Sequence, residues 1–238
     1  MNYDKNTPRL LGAAQLFVFL VGILIGTALI DAKIWSGSIS DNLVNIADNP
    51  TWLRINILGE LVSSIGIVVL GALFYIALNK QNKIIALVAL GLYWAEAITV
   101  AGSKIFLYSL LNVSQEFVKA GAPNSPYFQS LGSSLYESAH FGYSIHMLFF
   151  CLGGILWYYL FYRSRYIPRA LSVWGLAAVC LLSINVLLGL YDRDVGFVWI
   201  LCGPYIPYEL VLSVWLIVKG FNPSAIASES AKADINEI

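Results

Sequence analysis

From Ser138 to Tyr162 the chain carries no Asp, Glu, Lys or Arg, and an α-helix needs only about 20 such residues to cross a bilayer. A run of that length has no place on a water-soluble surface. Apolar runs of similar character recur along the sequence and predict six spans, at residues 10–30, 53–78, 84–111, 134–161, 170–191 and 196–218. The composition agrees: 58% of residues are hydrophobic and 12% charged, against about 45–50% and 25% in soluble domains. Because hydrocarbon offers no hydrogen bonds to the backbone, such spans fold as helices. The expectation is therefore an all-α, polytopic transmembrane bundle formed by residues 1–221. A disordered cytoplasmic tail over 222–238 follows, where the sequence turns small and polar.

Orientation follows from the cations between spans. Lys5, Arg9, Lys80, Lys83, Arg163, Arg165, Arg169, Lys219 and Lys232 fall on one side, against Lys33, Arg54, Lys119 and Arg193 on the other. The positive-inside rule then puts both termini in the cytoplasm. The first run, from Leu10 to Ile30, exceeds the roughly 7–15-residue core of a signal peptide and is expected to remain as a span. Between the first two spans, residues 31–52 are polar, with Trp35 and Trp52 expected as interface anchors and SDNLVNIAD as an amphipathic piece lying on the outer surface. Residues 112–132 read as the longest loop. A formal net charge of zero gives no field for nucleic acid, which leaves the lipid bilayer as the expected partner. Cys151, Cys180 and Cys202 lie in apolar stretches without ligand spacing and read as small core residues.

Polar side chains inside the spans are the candidate functional residues, since an ionisable group at the bilayer centre costs at least about 2.5–3.5 kcal/mol. In the second span Asn56, Glu60, Ser63 and Ser64 form a helical stripe; the third holds Glu96 near its middle and Lys104 about two turns away. Lys104 either snorkels to the interface or pairs internally. In the fourth span Glu137, His140 and Ser144 share a face, while His146 lies well round the helix. The fifth offers only Asn185 and reads as scaffold. In the sixth, Tyr205, Glu209 and Ser213 share a face just after Pro204 and beside Pro207, where a kink or break is expected. The first span carries Gln15 and the small-residue pattern Gly22 to Gly26, which reads as a site of close helix approach. Together Asn56, Glu60, Glu96, Glu137, His140, Tyr205 and Glu209 outline an outward-biased intramembrane polar cavity; the alternative is protonated, hydrogen-bonded glue between helices.

The chemistry such a cavity supports narrows by spacing. Glu137 and His140 make a Glu-x-x-His pair, the unit that di-iron bundles use twice, and it occurs here once. With His146 directed away from His140, no metal site is predicted. Two histidines on different faces of one helix do not fit a haem, and the final span has no lysine before Lys219 for retinal. No nucleophile elbow, P-loop or dinucleotide fingerprint occurs, and no cofactor is specified. Splitting the chain after residue 112 gives two three-helix halves that enter from opposite sides, with Glu96 and Glu209 on corresponding helices. Binding or transport of a small molecule, lipid or proton is the leading expectation. An intramembrane carboxylate/His enzyme, or a structural or regulatory membrane protein without a ligand, are the alternatives.

His140, Gly142 and Tyr143 as H-x-G-Y, the run Tyr162 to Arg169 as Y-R-S-x-Y-I-P-R, Glu96 in the third span and the ending Trp215 to Gly220 resemble a family of bacterial multi-pass membrane proteins catalogued as domain of unknown function 4386. The resemblance covers about residues 8–221. It implies a six-pass protein of the bacterial inner membrane and no particular activity or catalytic residue.

Overall fold

The computed structural model describes residues 6–28, 37–122, 125–191 and 202–228, with side chains except at 26–28. The helices are α1 (Thr7–Val21), α2 (Ile39–Asp48), α3 (Pro50–Leu78), α4 (Lys83–Lys119), α5 (Pro126–Ser164), α6 (Arg169–Tyr191) and α7 (Tyr205–Val218). Gly22–Ala28 continues α1 as a π-helix. Among the described residues there is no β-strand. Five helical segments are long and apolar enough to cross a membrane: Thr7–Ile25, α3, α4, α5 and α6. The sixth expected span is represented by α7, whose 14 residues extend about 21 Å at 1.5 Å per residue; the rest of that expectation falls on residues 196–201, outside the described ones. Trp35, Lys33 and Arg193 also lie outside them.

The expected loop over 112–132 is mostly helix. α4 runs on to Lys119 and α5 begins at Pro126, because nothing from Asn112 to Lys119 breaks a helix and Lys119 bonds Glu116 one turn back at 2.8 Å. The apolar run ends before the helix does. The stop is a left-handed turn at Gly121 and Ala122, closed by the Ala122 amide donating to the Phe117 carbonyl at 3.0 Å. At 37 and 39 residues, α4 and α5 each span roughly 55–60 Å, nearly twice the about 30 Å hydrocarbon core, so part of each projects beyond it.

The residues divide into two compact units that interleave along the chain: 1–17, 68–94 and 148–238 in the first, 18–67 and 95–147 in the second. The second unit contains a small core built on the projecting helix ends. α2 is started by a capping box in which Ser38 accepts from the Asp41 amide and Asp41 accepts from the Ser38 amide. It buries Leu43 and Ile46 completely against Leu53, Leu110, Leu111 and Phe117. Thus α2 is the helix expected of SDNLVNIAD, but its apolar face packs on protein rather than on lipid. Trp52, partly buried, packs against that core. Asn49 separates α2 from α3, and Pro50 opens α3 at a position whose amide needs no helical partner.

In the first unit, Phe74 stacks on Trp157 at 5.1 Å between ring centroids, Tyr93 packs edge-on against both, and Phe161 packs edge-on against Phe74. The close approach of α1 is at Gly12, where a Cβ would lie 2.7 Å from the Ser213 carbonyl and 2.8 Å from Leu216. Gly22, expected in that role, has nothing within 4 Å of the corresponding position, and the surroundings of Gly26 lie outside the described residues. α6 packs on α7, with Gly175 seated directly on the Tyr208 ring. Of the cysteines, Cys151 is buried as expected, whereas Cys180 faces outward. Of the tail over 222–238, expected without order, residues 223–228 are helical, with the Asn222 side chain capping the Ser224 amide at 3.1 Å; residues 229–238 lie outside the described ones.

Candidate functional site

Glu209 is the centre of the buried polar cluster in the first unit. It lies one turn after Tyr205 on α7, and the face predicted for Tyr205, Glu209 and Ser213 is the buried one. One carboxylate oxygen, Oε1, accepts from Tyr158 at 2.7 Å and from Tyr205; the other, Oε2, accepts from the Gln15 amide at 2.7 Å. The Tyr158 and Tyr205 hydroxyls also meet each other at 2.8 Å. Among the described residues no Lys or Arg pairs with this carboxyl group. Two further polar atoms, Gln15 Oε1 and Tyr208 Oη, are buried without a hydrogen-bond partner among the described residues. Such orphaned groups each cost about 1–3 kcal/mol.

Local sequence explains how the cluster is positioned. Residues 203–204 form a turn, and α7 starts at Tyr205 with Pro204 in the capping position. Pro207 therefore sits in the first turn, where its missing amide costs no intrahelical bond. Trp174 on α6 donates its indole N–H to the Pro204 carbonyl at 3.2 Å. On α1, Gln15 is brought to Glu209 by the Gly12 contact three residues earlier. On α5, Tyr158 is wholly buried although WYYLFY reads as an interface belt. The signal that identifies it is the small-residue row Cys151 and Gly154, which lies on the same face at helical spacing.

The second unit holds the other predicted residues. Asn56, Glu60, Ser63 and Ser64 are buried as a stripe on α3. Asn56 donates to the Ile25 carbonyl at 2.8 Å and Ser64 to the Ala97 carbonyl at 2.7 Å. The Asn56 contact meets a carbonyl inside the π-helical segment, where the regular helical ladder is altered. Lys104 reaches Glu60 at 3.8 Å, with 14% and 12% of the two side chains exposed, so of the two alternatives it pairs internally. Glu96 is buried on α4. Glu137 and His140 lie on an exposed face of α5, where the His140 ring packs on Tyr136 at 3.9 Å and its Nδ1 approaches the Tyr136 carbonyl at 3.1 Å. His146, round the helix, is buried edge-on against Tyr143. Among the described residues there is no group of three or more His, Cys, Asp or Glu arranged to hold a metal ion.

No curated protein and no solved structure matches the chain. The family model described as Domain of unknown function (DUF4386) matches residues 10–220, a range that includes all of the predicted spans and every residue of the Glu209 cluster. The chain is therefore a multi-pass membrane protein belonging to the DUF4386 family.

Proposed function

We propose that the protein binds or transports a small molecule, lipid or proton through an intramembrane polar site organised on Glu209. The observation that carries this reading is a buried carboxyl group within the apolar bundle, held among the described residues by three neutral donors and no cation, with two orphaned polar atoms on residues of the same cluster. Neutral donors orient such a group without fixing its charge, which suits a site that exchanges a proton or receives a cationic ligand. Asn56, Glu60, Glu96, Glu137 and His140 belong to the proposal as a separate set of polar groups within the second unit. We further place the protein in the bacterial cell membrane as a single domain with six spans and both termini in the cytoplasm, α7 forming the inner part of the sixth. The test is a proteoliposome assay with a trapped pH-sensitive dye and an imposed potential, run on wild type and Glu209→Gln. Proton flux above empty liposomes in wild type alone supports the proposal. Equal flux in both, with stability unchanged, makes the cluster helix-to-helix glue.

A further inference from the structure

The described surface residues of the first unit carry a one-sided charge that the Glu209 cluster does not use. Lys80 and Lys83 flank the α3–α4 turn, and Arg163, Arg165 and Arg169 surround the α5–α6 connection; all are exposed. Arg9 at the start of α1 and Lys219 at the end of α7 are exposed as well. Among the described residues of this unit the only carboxylate is Glu209, which is buried. These helix ends meet. Phe221, just past α7, stacks on Tyr166 of the α5–α6 connection at 4.9 Å, the Asn222 amide donates to the Tyr166 carbonyl at 2.8 Å, and Gly220 abuts Pro8 next to Arg9. The cations of the α1 start, the α5–α6 connection and the α7 end therefore form a basic rim, with no exposed carboxylate among the described residues of this unit.

An apolar groove of about 390 Å³ runs along the outer face of α7, lined by Leu210, Val211, Val214, Trp215 and Val218, and it ends at Lys219. We infer that this groove and the Arg9–Lys219 corner of the basic rim form a binding site for an anionic phospholipid, with an acyl chain along α7 and the phosphate at Lys219 and Arg9. Charge complementarity selects the occupant: a free phosphate has no use for the groove, and a zwitterionic lipid carries no net charge to offset the rim. Trp215 sits one turn from Lys219, the placement expected of an interfacial aromatic beside a headgroup contact. The inference is independent of the reading of Glu209.

The test is thermal unfolding of the full chain in detergent with added phosphatidylglycerol or phosphatidylcholine of identical acyl chains, together with native mass spectrometry of retained lipid. The expected result is a melting temperature several degrees higher with phosphatidylglycerol than with phosphatidylcholine. That difference falls by at least half in Arg9→Gln/Lys219→Gln and in Val214→Trp, which fills the groove, and persists in Lys119→Gln in the second unit. Equal shifts for the two lipids overturn the inference, as does a phosphatidylglycerol preference that both groove and rim variants keep. A second copy seated on the groove overturns it too, and shows as a concentration-dependent mass that Val214→Trp abolishes without any headgroup preference.

Discussion

A carboxyl group with three neutral donors and a carboxylate with one loose ammonium are different objects, and single substitutions separate them. At Lys104–Glu60 the 3.8 Å separation is longer than a charge-assisted hydrogen bond, yet both groups are largely withdrawn from solvent. Lys104→Leu leaves Glu60 without its partner and is expected to lower stability by about 3 kcal/mol. Adding Glu60→Leu should recover most of that loss in detergent unfolding, and failure to recover would show that the pair is not what Lys104 contributes. Gly175 tests packing in the same way. Its Cβ position is occupied by the fully buried Tyr208 ring, so Gly175→Ala is expected to cost about 1–3 kcal/mol through overpacking; a neutral change in melting temperature would contradict that contact. At this scale the sequence was informative where polarity broke an apolar run, as at Glu60, Glu96 and Glu209. Tyr158 was marked only by the small-residue row of Cys151 and Gly154 on its face, because an aromatic next to an arginine-rich connection carries the same signature whether it faces lipid or the bundle.

Elements were legible by hydropathy and misjudged where hydropathy stops being the reason for a helix. α4 and α5 continue past the membrane because local propensity and an end cap carry them, and α2 then finds an apolar surface to cover. Asp41 gives that arrangement a pH dependence. The Ser38 hydroxyl, and after it the Ser38 amide, hydrogen-bond its carboxylate and hold its pKa below the usual value. A depressed folded-state pKa means that the contribution is complete above the unfolded value near 3.9 and is lost as pH falls through the lower folded one. Amide protection of residues 39–48, corrected for intrinsic exchange, is expected to hold at pH 6 and to drop more steeply below pH 4 in wild type than in Asp41→Asn. Parallel profiles would remove the capping box from the account.

For the whole molecule, the length of the apolar runs together with composition identified an all-helical membrane protein, and the division into two interleaved units had no trace in the sequence. That division depends on which ends of long helices pack together, and periodicity along one helix does not encode its partners. The proposed topology is tested with single cysteines at Ser125 and Gln81 in a background lacking Cys151, Cys180 and Cys202. An impermeant reagent added outside should label Ser125→Cys and not Gln81→Cys; labelling of both would end the proposed arrangement. The central claim, that Glu209 is a site and not a fastening, is tested most directly by proton flux in dye-loaded proteoliposomes under an imposed potential. Wild type is predicted to exceed empty liposomes several-fold, and Glu209→Gln to fall to their level while melting within a few degrees of wild type. Flux that is indistinguishable between wild type, Glu209→Gln and empty liposomes would contradict it.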